Sequence, residues 1–160
     1  NSRIPFMTRC AVVIKCKNGS YLTTFCEHDG YICDSGNVLY NYYNDVKKLK
    51  SLITGGDICV IRNELPPSHI ATGDMFLELE CSRNDWTTYL RSDRLLPRTF
   101  SSCEDMVNYY ANCACKYIYQ FDESKAEWYY MNVCLMADGW KLLSDALNFA
   151  VTSGCDGYND

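Results

Sequence analysis

The sequence predicts an α+β domain, a mainly antiparallel sheet with helices packed on one face. Two β-rich runs flank a turn signal at Asn18-Gly19, and the hydrophobic period changes from strand-like to helical beyond Ser35. Hairpins and helices then follow without the regular strand-helix-strand rhythm of a parallel α/β sheet.

The first strand is Cys10-Ala11-Val12-Val13-Ile14, a continuous apolar run rich in β-branched residues, and the second is Tyr21 to Cys26. Asn-Gly between them suits a type I′ hairpin, because both residues tolerate positive φ. Val38, Leu39, Tyr42 and Tyr43 recur at helical spacing. A second stripe of Val46, Leu49, Leu52 and Ile53 follows the cap candidates Asn44-Asp45 and stops at Gly55-Gly56. Ile58 to Ile61 reads as a short buried strand and Pro66-Pro67 as the start of a loop. Phe76 to Cys81 alternates strictly, with Leu77, Leu79 and Cys81 on one face, and Trp86 to Leu90 is another strand. Ser101-Ser102-Cys103-Glu104 fits a capping box before the stripe Met106, Val107, Tyr110 and Cys113. Tyr117 to Phe121 and Trp128 to Val133 are aromatic strands around the polar turn from Asp122 to Ala126. Trp140, Leu143, Leu147 and Val151 mark a last helix ended by Gly154.

A chain of 160 residues is the size of one ordinary domain, and no internal repeat divides it. Met7-Thr8-Arg9 before an apolar strand reads as a native start. Residues 1–6 are then a foreign or disordered leader and 7–160 a single α+β domain. No apolar run reaches the roughly 18 residues of a membrane helix. A net charge of -5 with one basic cluster, Lys47-Lys48-Leu49-Lys50, opposes a phosphate-tracking surface, so neither membrane nor nucleic acid is an expected partner. The Lys cluster reads as the solvated face of a helix. Eleven cysteines, an odd number, leave at least one thiol unpaired. Several, such as Cys10, Cys16 and Cys81, stand where a strand needs a small apolar side chain. Buried free thiols in a cytoplasmic setting are therefore the expectation.

The chain is organised around Phe25-Cys26-Glu27-His28-Asp29-Gly30-Tyr31, where the second strand ends and the helical pattern begins. Together with Met7-Thr8-Arg9, Asn18-Gly19, Gly36, Leu39 and Tyr43, this segment resembles small uncharacterised proteins of tailed phages and prophages. Those begin Met-x-Thr-Arg and carry Tyr-Cys-His-Trp-Asp-Gly-Tyr-Pro. The resemblance covers about residues 7–60 and extends to Asn44-Asp45 and Gly56-Asp57-Ile58. Glu27, His28 and Ile32 depart from the family's His, Trp and Pro, so no family histidine chemistry carries over. The resemblance implies a phage-encoded origin, and with the free-thiol reading the expectation is an accessory protein in the cytoplasm of the host cell. It does not imply a mechanism.

Two functional classes remain open at this stage. The first is a protein-binding module that acts on a host or phage protein, such as an inhibitor of a host defence or metabolic protein. It would bind through Glu27, His28, Asp29, Tyr31, Tyr40 and Tyr43. Its support is the clustering of thirteen tyrosines, whose adjacent pairs cannot all face inward. The alternative is a Cys-His hydrolase or acyltransferase. In an extended segment Cys26 and His28 project from the same face, with Asp29 or Glu27 to orient the imidazole. The competing structural reading makes Asp29-Gly30 a turn, with Asp29 bonding nearby amides and Gly30 at positive φ. Cys26, His28 and Cys33 with Cys113 or Cys115 lack the paired spacing of a structural zinc site, so no metal is expected. No cofactor is expected either, for no phosphate-binding loop, dinucleotide fingerprint, nucleophile elbow or zinc-protease motif is present. His69 reads as an exposed loop residue.

Overall fold

The computed structural model describes residues 8–67, 85–90 and 97–153. The expected strand Phe76 to Cys81 and the loop residue His69 lie outside them. The chain runs β1 (Arg9–Lys15), β2 (Tyr21–Cys26), a π-helical turn (Ile32–Gly36), α1 (Asn37–Tyr42), α2 (Val46–Thr54), β3 (Ile58–Val60), β4 (Thr88–Tyr89), β5 (Arg98–Phe100), α3 (Cys103–Asn112), β6 (Cys115–Asp122), β7 (Glu127–Asn132), a 3-10 turn (Val133–Asp138), β8 (Lys141–Leu142) and α4 (Leu143–Ser153). The sheet order is β4-β3-β2-β1-β6-β7-β8. The outer edge of β2 is shared, by β5 at Tyr21 to Thr23 and by β3 at Cys26. Most neighbours are antiparallel, as the α+β reading expects. At the centre, however, β1 and β6 run parallel, and so do β2 and β3.

The central pairing decides the layers. Cys10, Ala11, Val12, Val13 and Ile14 are all completely buried, so β1 is covered on both sides. Parallel strands of this kind read as continuous apolar runs because neither face meets water. Cys10, Val12 and Ile14 pack with Tyr117, Tyr119, Phe121 and Trp128 beneath Leu39 of α1, Leu49 and Leu52 of α2, and Leu143 of α4. Ala11, Val13 and Ile118 face the other way, against Met106, Val107 and Tyr110 of α3. The expectation of helices on one face is corrected here. α3 forms a third layer, because a single helical layer would leave Ala11 and Val13 in water.

Local signals acted as expected with small shifts. In the β1–β2 hairpin only Gly19 has positive φ, at 90°. Its N–H donates to the Cys16 carbonyl at 2.9 Å and the Cys16 N–H to Ser20 at 2.8 Å. The loop is thus a three-residue connection with glycine at the left-handed position, and not the type I′ turn. Asp45 caps α2 by accepting from the Lys47 N–H at 3.0 Å. Ser102, not Ser101, caps α3 by accepting from Asp105. Trp140 precedes the last helix and packs with the α3 layer, while β8 intervenes before Leu143.

Tyr119 couples β6 to the segment after β2. Its buried hydroxyl donates to the Gly30 carbonyl at 2.6 Å. The Gly30 N–H donates to Thr8 at 2.9 Å. A Cβ on Gly30 would stand 2.9 Å from the Arg9 carbonyl carbon, so close approach, and not positive φ, requires glycine here. Tyr119→Phe leaves that carbonyl buried and unpaired, and is expected to lower stability by about 1–3 kcal/mol. Gly30→Ala should lower it further by pushing the segment off β1. Urea denaturation with an unchanged midpoint for both variants would show that this tie is not structural.

Candidate functional site

The segment from Cys26 to Tyr31 is built by backbone hydrogen bonds before any side-chain chemistry enters. Glu27 and His28 continue past β2 by donating their N–H groups to Ile58 and Cys59 at 2.9 and 3.1 Å. Asp29 then takes φ of 59°, which reverses the chain. Its carbonyl accepts both the Ser35 N–H, at 3.1 Å, and the Ser35 hydroxyl, at 2.6 Å. Tyr31 closes the π-helical turn by accepting from Asp34 and Gly36. The turn reading is realised with the positive φ on Asp29 instead of Gly30.

Cys26 does not present its sulfur to this surface. It is completely buried opposite Cys10, and its thiol donates to the carbonyls of His28 at 3.4 Å and Cys59 at 3.8 Å. Its contact with His28 is through the main chain. A thiol in that setting cannot reach substrate, so the proposed Cys26-His28-Asp29 set lacks an accessible nucleophile. The neighbouring thiols are held neutral. A hydrogen bond with Cys26, reinforced by burial, pushes the Cys10 thiol well up. Burial, then the proximity of Cys113 and Cys26, pushes Cys115 up as well. Among the described residues no cluster of His, Cys, Asp and Glu is arranged to hold a metal ion.

The remaining site candidates divide between core and surface. Glu27 is half-buried and pairs with Arg9 at 3.5 Å. His28, Asp29 and Tyr40 are half-buried too. Tyr31 is buried, with the Lys116 ammonium 5.5 Å from its ring centre. Tyr43 is completely buried. Its hydroxyl donates to the Arg62 carbonyl at 2.7 Å, its own carbonyl accepts from Trp128, and Lys48 lies 4.4 Å above its ring. Burial and the nearby Glu64 outweigh the Thr87 hydrogen bond and push its hydroxyl up to about 12. Tyr43 is a core anchor, and Tyr31 offers almost no surface for a partner.

Its neighbour Tyr42 is the exposed member of the pair, at 44%. Phe149 on α4 is 70% exposed, and α4 lies against α1. Leu135, Met136 and Leu142 are also exposed. The sequence reading did not single out these residues as surface. Adjacency gave the signal for Tyr42, since two neighbouring residues on one helix cannot both point to the core. Phe149 lies off the stripe of Leu143 and Leu147. Comparison of the chain with protein-family models, curated proteins and solved structures finds no match.

Free cysteines among the described residues are Cys10, Cys16, Cys26, Cys59, Cys103, Cys113, Cys115 and Cys134, whereas Cys33 is disulfide-bonded. Cys134 is exposed and should alkylate first in the native protein. Cys10, Cys26, Cys59 and Cys115 should react only on unfolding, which mass measurement against denaturant checks. The raised thiols also fix a sign. They bind protons more tightly folded than unfolded, so their stabilisation is complete below about pH 9 and is lost as pH rises through the folded values. Cys115→Ala should flatten the alkaline fall in stability by up to about 1.4 kcal/mol per pH unit. Equal slopes in denaturation series across that range would contradict the assignment.

Proposed function

We propose that this chain is a protein-binding module of phage type, acting in the host cytoplasm on a host or phage protein. The observation that carries the reading is the exposure of Tyr42 and Phe149 on the adjoining helices α1 and α4. Large rigid aromatic side chains held in water on packed helices contribute contact area at little entropic cost when a partner covers them. Half-buried Glu27, His28 and Asp29, on the segment between β2 and the π-helical turn, and Tyr40 on α1 add two carboxylates, an imidazole and a phenol. Inhibition of a host defence or metabolic protein is the action this setting suggests, and the phage setting rests on the resemblance of residues 7–60. No described helix is long and apolar enough to cross a membrane.

Affinity capture from host lysate tests the proposal, using wild type, Cys26→Ser and the double variant Tyr42→Glu with Phe149→Glu, each checked for a native circular dichroism spectrum. The expected result is one stoichiometric partner that wild type and Cys26→Ser hold and the double variant releases. No partner, together with thiol-dependent turnover that disappears in Cys26→Ser, would return the assignment to the Cys-His enzyme class.

A further inference from the structure

We propose that Cys113 and Cys115 are a reversible redox pair, closing to a disulfide by exchange with low-molecular-weight disulfides such as oxidised glutathione. Both are free thiols, separated by Ala114 alone at the junction of α3 and β6. In a strand that spacing sets the two Cα atoms about 6.6 Å apart, near the outer limit for a disulfide. Here Ala114 has φ of 63°, and its N–H donates to the Ala111 carbonyl at 3.0 Å. For a residue with a Cβ that φ means left-handed helical backbone, and the Cα atoms on either side of such a residue stand about 5.5 Å apart. Disulfides are commonest at that span. Cys115 belongs to the apolar cluster of Met106, Val107 and Tyr110, and Cys113 packs against the same cluster, so both side chains turn to the α3 side of the sheet.

The two thiols differ in access, which orders the steps. Cys113 is half-buried beside exposed Ala114, whereas Cys115 is only 4% exposed. A small disulfide therefore meets Cys113 first. The Cys113 sulfur attacks one sulfur of the reagent and forms a mixed disulfide, while the other half of the reagent leaves and takes up the Cys113 proton. Cys115, shielded from the reagent, has the Cys113 sulfur as its neighbour. Its own sulfur attacks there, and the second half of the reagent leaves with the Cys115 proton. Two electrons and two protons have then passed from the pair to the reagent, and the chain keeps the internal disulfide.

Cys10 and Cys26 are also neighbours, opposite each other on β1 and β2, but both are completely buried and give a reagent no entry. Electrostatics set the pace at Cys113. Burial, with Asp57 behind it, pushes this thiol up, while Arg98, a hydrogen bond with Tyr109 and Arg9 act against it. Only the ionised fraction attacks, so exchange is slow near neutral pH, as suits a response to a lasting change in redox balance and not rapid turnover.

The test uses the folded full chain carrying Cys134→Ser, which removes the exposed thiol, held in a series of oxidised to reduced glutathione ratios and then mapped by mass after trypsin. Cleavage at Arg98 and Lys116 releases residues 99–116, with Cys103, Cys113 and Cys115. With rising oxidised glutathione this peptide should lose the mass of two hydrogens, carry no glutathione and resist fragmentation between Cys113 and Cys115; excess reduced glutathione should reverse the change. Cys115→Ser should stop at one glutathione held on Cys113, and Cys113→Ser should leave Cys115 unmodified. A lasting adduct on Cys113 with Cys115 present, no reaction at Cys113, a bond from Cys113 to Cys103, or closure only in denaturant overturns the proposal. Where Cys115→Ser disturbs folding, the map of the intact pair decides by itself. None of these readouts involves a binding partner, so the redox pair and the binding function can fail separately.

Discussion

The parallel pairing of β1 with β6 is the constraint on which the other elements depend. It runs from Arg9 beside Cys115 to Lys15 beside Asp122, between two strands that expose almost nothing on either face. Five consecutive buried residues of β1 leave no side for water, so the chain must supply cover twice. α1, α2 and α4 provide one layer and α3 the other. The parallel direction also requires a long crossover between β1 and β6, and the intervening helices and outer strands occupy it.

The same centre governs the segment from Cys26 to Tyr31. Tyr119, on β6, reaches through the core to hold the Gly30 carbonyl, and Ser35 holds that of Asp29. A residue at positive φ beside a charged cluster suggests a site where strain serves chemistry. In this chain the reversal has a structural reason, since it returns the strand into the π-helical turn with its backbone groups satisfied. Cys26 is consumed by the core in the process, sharing its surroundings with Cys10 and lying near Cys115. The abundance of cysteine is thus partly a packing choice, with small polarizable side chains filling the crowded junction of β1, β2 and β6.

Aromatic residues divide by the same logic. Tyr110, Tyr117, Tyr119, Phe121 and Trp128 fill the two cores, and the hydroxyls of Tyr43, Tyr89 and Tyr119 each donate to a backbone carbonyl. Buried tyrosine is tolerated because its polar end finds a partner. Tyr42 and Phe149 are exposed, and with Leu135, Met136 and Leu142 they are the large exposed hydrophobic residues among those described, on α1, α4, the 3-10 turn and β8.

The sequence by itself determined the local elements, because their causes are local. Asn18-Gly19 turns the chain, Asp45 caps α2, and the spacing of Leu49, Leu52 and Ile53 aims that helix at the sheet. The run from Cys10 to Ile14 even recorded burial on both faces, although a short apolar strand reads the same way under one layer or two. Only the tertiary structure decided that β6, more than a hundred residues along the chain, lies beside β1, and so that α3 crosses to the opposite face. It also decided the fate of the candidate site. Spacing put Cys26 and His28 on one side of a strand, but which side faces solvent depends on what packs there. The neighbours that bury Cys26, and those that leave Phe149 exposed, come from distant segments whose meeting no local pattern encodes.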